Sequence, residues 1–305
     1  MEPFRVHILG CGSALPTMKH NASSQIVELR GKMMMVDCAE GTQVLLRRSH
    51  IAFTKIGAVF ISHLHGDHCL GLIGMISTFG LMDRHSPLQV YAPHEFEPNF
   101  KAQLDLFCPR LDYEVHFHPV DTTVHQVVYE DRSLLVETIP LEHRVPCCGY
   151  LFREKPTLPH IRREMIDFYH IPQCYINNIK NGAGWTTEDG TQVPHERLVT
   201  PPDPARSYAY CSDTRYMPKL HQLVKGVNLL YHESTYDKTK QDNARLYYHS
   251  TAAEAAQVAR DAEVGQLMIG HYSARYEDES ILLDEARDIF PNTILSNERM
   301  VIDVK

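Results

Sequence analysis

Three histidines and an aspartate fall within six positions, His63-Leu64-His65-Gly66-Asp67-His68. Imidazole nitrogen and carboxylate oxygen form the donor set of zinc and related divalent ions, and a tight strand-to-helix turn can aim alternate side chains at two neighbouring points. Core packing gives no reason for such a cluster, so metal binding outweighs the reading of a merely solvated loop. Similar donors stand at the ends of later apolar runs. Residues 134–139 lead to Leu141-Glu142-His143, residues 207–211 to Asp213, and residues 266–269 to Gly270-His271. Strand ends are where layered α/β proteins assemble their sites. Seven candidate ligands, His63, His65, Asp67, His68, His143, Asp213 and His271, could therefore converge on one edge.

The elements that must position them read as a mixture of strands and helices. Residues 58–61 form an apolar strand running into the first cluster, and residues 70–76 carry the chain away as a helix. A first strand over residues 4–9 ends at Gly10-Cys11-Gly12-Ser13. That segment lacks the Lys-Ser/Thr of a P-loop and the third glycine of a dinucleotide fingerprint, so it reads as a turn, with no nucleotide cofactor. Residues 25–29 and 32–36 read as a hairpin about Arg30-Gly31, followed by Asp37, which either orients a ligand histidine or serves turn chemistry. Residues 42–48 have helical spacing. Residues 88–91, 113–117, 126–129 and 133–140 supply further strands. Thr251-Ala252-Ala253-Glu254 is a capping box opening a helix to about Asp261, and residues 279–289 are amphipathic before Pro291. Two packed sheets with helices outside suit this pattern, but periodicity alone equally allows one doubly wound sheet.

The chain has 305 residues, 43% of them hydrophobic, enough for one large or two ordinary domains. No stretch reads as a signal peptide or membrane span, so the expected place is the cytoplasm and no membrane partner is expected. Eight cysteines without CxxC spacing suit a reducing compartment. A net charge of −8 argues against a general nucleic-acid coat, though not against a local polyanion site. Most of the nineteen histidines must be ordinary; His116 and His118 alternate along a strand in the manner of a wet face. Residues 154–206 behave differently. They are proline-rich and interrupt two apolar strands, and residues 160–180 interleave Arg162, Arg163 and Lys180 with Phe168, Tyr169 and Tyr175. That pattern suits either a nucleic-acid surface or an amphipathic helix with a solvated face.

These residues resemble a family. His63-x-His65-x-Asp67-His68 is similar to the signature of the metallo-β-lactamase superfamily, and His143, Asp213 and His271 fall where its later ligands do. The resemblance sharpens to ribonuclease Z through residues 9–12, Pro16-Thr17, Asn21-x-Ser23-Ser24, Asp37-Cys38-Ala39-Glu40-Gly41-Thr42-Gln43, His232-Glu233-Ser234-Thr235, His249-Ser250-Thr251 and residues 271–276.

The resemblance implies an αββα sandwich, two packed mixed sheets with helices on the outer faces. It spans residues 1–305 as a single domain, with residues 154–206 as an inserted arm that grips tRNA. It implies a hydrolase that removes the 3′ trailer from precursor tRNA by attack of a metal-bound hydroxide, leaving a 3′-hydroxyl on the tRNA and a 5′-phosphate on the trailer. His63, His65 and His143 would hold one Zn2+, Asp67, His68 and His271 a second, and Asp213 would bridge; Mn2+ or Fe2+ could replace zinc. Asp67 would orient the nucleophile, and His249 held by Glu233 would protonate the leaving group. The family also implies a homodimer. Within the arm, Ile171-Pro172-Gln173-Cys174 stands where many members carry Gly-Pro. Two other readings stay open at this point: a superfamily phosphodiesterase acting on small esters, and a non-catalytic RNA-binding protein stabilised by metal.

Overall fold

The computed structural model describes residues 2–305. Its first half builds strands β1 (Phe4–Gly10), β2 (Ser24–Leu29), β3 (Lys32–Cys38), β4 (Ile56–Phe60), β5 (Leu88–Pro93) and β6 (Val115–Val120). Next come β7 (Val127–Glu130), β8 (Leu134–Pro140) and β9 (Cys148–Glu154). Four two-residue strands follow: β10 (His160–Ile161), β11 (Trp185–Thr186), β12 (Gln192–Val193) and β13 (Val199–Thr200). The last are β14 (Ser207–Cys211), β15 (Leu229–Glu233), β16 (Gln266–Gly270), β17 (Thr293–Leu295) and β18 (Val301–Asp303).

Two seven-stranded sheets form, in the orders β18-β1-β2-β3-β4-β5-β6 and β17-β16-β15-β14-β9-β8-β7. Both are mixed. β3 to β6 run parallel, as do β14 to β17, while the remaining neighbours are antiparallel. Aromatic side chains join the sheets: Phe60 of β4 stacks on Tyr91 of β5 at 4.7 Å and meets Tyr150 and Phe152 of β9 edge-on at 5.2 and 5.6 Å. Helices Thr42–Arg48, Leu72–Gly80 and Glu97–Phe107 bury Leu46, Met75, Ile76 and Phe100 against the first sheet. Helices Ala252–Asp261 and Ser280–Arg287 bury alanines and Leu282 against the second. This is the αββα sandwich, and the single doubly wound sheet is excluded.

Local signals account for much of the detail. Arg30 and Gly31 both take positive φ, 49° and 79°, the turn that suits a two-residue hairpin between β2 and β3. Thr251 and Glu254 close the capping box. The strand expected over residues 113–117 lies further on, at Val115–Val120; it is an edge strand, which tolerates Pro119.

Residues 154–206 leave the second sheet between β9 and β14, which are antiparallel neighbours. At the root, Glu154 N–H donates to the Arg206 carbonyl at 2.8 Å, and the Arg206 guanidinium pairs with the Glu154 carboxylate at 2.8 and 2.9 Å. The segment carries its own small core of Ile166, Ile171, Ile179, Val193, Leu198 and Val199. The helical alternative for residues 160–180 is not realised as one helix. His170 turns the chain at φ 51° and Pro172 follows, so Arg163–Phe168 and Ile176–Lys180 are separate short helices. Among the described residues no helix is long and apolar enough to cross a membrane.

Candidate active site

All seven predicted ligands meet at the carboxyl ends of β4, β8, β14 and β16. His63, His65, Asp67 and His68 lie on the turn after β4, which is pressed onto β3 through Gly71, whose N–H donates to the Cys38 carbonyl at 2.9 Å. A Cβ at Gly71 would stand 1.9 Å from the Ala39 carbonyl oxygen, so the close approach requires glycine there. Asp37, next to last in β3, and Asp213 and His271, just beyond β14 and β16, stand at φ 57°, 58° and 59°, a left-handed backbone that non-glycine residues keep only where their surroundings over-determine it.

Two donor sets result. In the first, Nδ1 of His65 lies 3.1 Å from Nε2 of His63 and 3.2 Å from Nε2 of His143, with Oδ2 of Asp213 at 3.7 Å from both Nε2 atoms. In the second, Oδ1 of Asp213 lies 3.2 Å from Nε2 of His68 and 3.1 Å from Nε2 of His271. Oδ2 of Asp67 stands 3.5 and 3.8 Å from the same nitrogens. Four donors bound tetrahedrally to an ion at about 2.1 Å would sit roughly 3.4 Å apart. Asp213 thus presents one oxygen to each set.

Hydrogen bonds behind the rings decide which nitrogen faces inward. Asp37, fully buried, accepts from Nδ1–H of His68 at 2.7 Å, Tyr210 O–H at 2.8 Å, and Ser62 N–H and O–H at 2.8 and 2.9 Å. The Ser62 hydroxyl, its proton given to Asp37, accepts from Nδ1–H of His63 at 3.0 Å. Glu233 repeats the device: Thr235 O–H donates to it at 2.6 Å and accepts from Nδ1–H of His271 at 3.0 Å. The Tyr248 carbonyl accepts from Nδ1–H of His143 at 3.0 Å. As neutral rings these four imidazoles turn an unprotonated Nε2 inward, and those of His68 and His271 are buried without a partner. Facing lone pairs repel unless a cation lies between them, so the residues fit a divalent metal.

Electrostatics divide the rings: burial opposes charge on His68, but Asp213 and Asp37 raise it well above the ordinary imidazole range, so it takes a proton where no cation meets those carboxylates. Burial pushes His63, His65 and His143 below the ordinary imidazole range and keeps them neutral, the form that binds metal. Burial opposes ionisation of Asp213, but His271, His68 and His63 hold it well below the usual carboxylate range. Asp67 is likewise low, burial being outweighed by His271 and His68.

His249 adjoins both sets. Its Nδ1 meets Oε1 of Glu233 at 2.8 Å; burial works against its charge, but Glu233 prevails and lifts it to about 9. His249 also lies within reach of Asp213 and His271 as a third possible donor group. The pocket above the donors, about 300 Å³, is lined by Ala14, Asp67, Arg144, Tyr247, His249 and Arg275 among others. A larger cleft of about 590 Å³ lies at the arm's root, among Arg132, Lys155, Lys180 and Arg206, and shares no residue with it.

Several members of the site have no role in the sequence reading. Thr235 stands there in its motif without one, and Ser62 had a signal, a hydroxyl beside His63. The Tyr248 carbonyl had none. Nor did the N–H of Ala14, which donates to Oδ2 of Asp67 at 2.8 Å from the position just after the segment read as a turn.

Comparison with known proteins places this geometry. Ribonuclease Z of Bacteroides thetaiotaomicron is 54% identical over 304 residues, covering all of this chain and 96% of the relative. The chain belongs to the ribonuclease Z family. It is a metal-dependent hydrolase, an endoribonuclease. Human tRNase Z, short form, shares the fold with a TM-score of 0.70 at 23% identity, covering 99% of each chain. The metallo-β-lactamase fold protein YhfI of Bacillus subtilis matches with the same score at 17% identity, also covering 99% of each. Residues 4–149 match the family model for anti-Pycsar protein Apyc1. That stretch holds β1 to β8 and ends before Asp213, Glu233, His249 and His271.

Proposed function

We propose that this ribonuclease Z family member is a zinc-dependent endoribonuclease that removes the 3′ trailer from precursor tRNA, leaving a 3′-hydroxyl on the tRNA and a 5′-phosphate on the trailer. The observation that carries the reading is Asp213 offering one oxygen to each of two donor sets while the Glu233–His249 pair stands beside them.

His63, His65 and His143 would hold one ion, Asp67, His68 and His271 the other, with Asp213 shared. When bound, the two divalent cations supply positive charge for a phosphodiester and lower the pKa of water to roughly 7. Asp67, lining the pocket and held by the Ala14 N–H, orients the attacking water or takes its proton. His249 is the acid. Glu233 holds its Nδ1 and keeps the ring protonated at neutral pH, so the imidazolium can give its proton to the departing ribose oxygen. Glu233 also fixes His271 through Thr235, tying the acid to the metal donors.

The arm, with its own core and a basic cleft at its root, suits a macromolecular substrate and gives no advantage on small esters. An open pocket with carboxylate and imidazole donors likewise suits catalysis better than a closed structural metal site. The homodimer, with one protomer's arm reaching tRNA bound by its partner, and the cytoplasmic location follow from the family likeness.

The test is incubation of purified protein with a 3′-extended tRNA transcript, with and without chelator, mapping the cut and its ends. The reading requires a metal-dependent cut after the tRNA body with 3′-hydroxyl and 5′-phosphate ends. A cyclic phosphate, or cleavage indifferent to chelation, would overturn it.

A further inference from the structure

The loop between β1 and β2 supplies a backbone hydrogen bond to the Asp67 carboxylate, from the Ala14 N–H to Oδ2. Ala14 reaches that position at φ 43°, in the left-handed region, where a residue with a Cβ stays only if its surroundings hold it. Ser13 beside it is tied to Tyr272, and a second hold lies at the far end of the loop. The His20 ring is buried, with Nδ1 at 2.9 Å from Oε2 of Glu298 and Nε2 at 3.1 Å from Oε1 of Glu279. Carboxylate oxygens only accept, so the ring donates from both nitrogens and is an imidazolium. Burial opposes that charge, but Glu298 and Glu279 prevail and raise the ring's pKa. The other Glu298 oxygen accepts the Asn21 N–H at 2.8 Å, and the Lys19 ammonium also meets Glu279.

The clamp is connected to Ala14 through the backbone. Thr17 N–H donates to the His20 carbonyl and His20 N–H to the Thr17 hydroxyl, both at 2.8 Å. Gly12 N–H closes the neck onto the Asn21 carbonyl at 2.9 Å. Ser13 N–H and the Cys11 carbonyl then join the loop to Tyr272, the residue after His271. Displacing His20 removes the buried charged anchor at the far end of this loop and leaves Ser13 on Tyr272, Asn21 on Glu298 and the half-exposed Lys19 on Glu279 to hold it.

We propose that His20, clamped between Glu279 and Glu298, is a positioning residue for RNA hydrolysis, locking residues 11–21 so that the Ala14 N–H holds Asp67 toward the reacting phosphate. The inference rests on the reading of Asp67 given above.

The test compares His20→Ala, His20→Arg, Ala14→Gly and the His20→Ala/Ala14→Gly double variant as metal-loaded enzymes. The readouts are kcat and KM on a 3′-extended tRNA and on a small chromogenic phosphodiester, metal content and Tm. His20→Ala should lower kcat about 10- to 100-fold on both substrates, the worth of one hydrogen bond to a charged group, with tRNA KM and metal content within about twofold of wild type. Arginine, whose fork also spans two carboxylates, should recover most of the loss. The double variant should lose less than the product of the single losses, because both changes act on one contact.

Three outcomes would overturn the clamp. One is a His20→Ala enzyme with full kcat well below its Tm. Another is multiplicative losses in the double variant. The third is the loss of an equivalent of metal, which would make Cys11, His20 and Glu298 an ion site instead. Asp67→Asn separates the two levels: if it is inactive while His20→Ala is not, only the clamp fails. If Asp67→Asn is fully active, the reading of the site fails.

Discussion

Replacing Asp37 by asparagine probes how the site is held without touching a ligand. The wild-type carboxylate accepts four hydrogen bonds, directly from His68 and by way of Ser62 from His63, so it governs one ring in each donor set. Asparagine keeps one acceptor, enough for the Ser62 N–H, but turns an NH2 toward Nδ1–H of His68 and the Tyr210 hydroxyl. The hydroxyl can rotate. The imidazole can answer only by moving its proton to Nε2, the atom that must carry a free lone pair. The change forfeits one hydrogen bond to a charged group, about 1.5–3 kcal/mol. That corresponds to about 10- to 100-fold in metal affinity for the set containing His68, the usual range for groups that orient a ligand histidine. Titration against a chromophoric chelator, with kcat measured at saturating metal, reads both quantities. An Asp37→Asn enzyme with metal affinity and kcat within about twofold of wild type would refute the reasoning.

Other outcomes follow from the same geometry. His249→Ala should reduce kcat by about 10²- to 10⁴-fold with metal content near wild type; loss of metal would make His249 a ligand of the third donor group instead of an acid. The raised pKa of His249 means its acid form is present below about 9 and disappears as pH rises through that value. Cations in the neighbouring sets repel the imidazolium, so the alkaline limb of the kcat profile should fall below 9. Glu233→Gln should move that limb to still lower pH, and an unmoved limb would remove Glu233 from its role. Excising residues 155–204 and bridging Glu154 to Ala205 with a short turn, at the root where Glu154 and Arg206 already pair across the antiparallel β9 and β14, should abolish cleavage of 3′-extended tRNA while sparing a small chromogenic phosphodiester. Equal loss on both substrates would count against the arm as an RNA grip.

The convergence of donors was legible because each arrives by the same device, a buried strand ending in His or Asp. The packing of two sheets was not. Strands buried on both faces read as continuous apolar runs, and nothing in β4 or β9 says that Phe60 will meet Tyr150 across a sheet interface instead of a helix. The choice left open at Asp37 turned on Ser62, Tyr210 and His68, which only the fold brings together. Side chains such as Thr235 leave a mark in a motif. Backbone groups leave none, since every residue but proline carries an N–H and every residue a carbonyl; the Ala14 N–H and the Tyr248 carbonyl become functional only through where their φ angles, 43° and 58°, point them.

The most direct measurement is anomalous diffraction from crystals of the metal-loaded protein. The account requires two peaks per chain, roughly 3.5–4 Å apart. One should be bound by His63, His65 and His143 and the other by Asp67, His68 and His271, with an Asp213 oxygen on each and His249 on neither. A single peak, or an ion bound by His249, would contradict it.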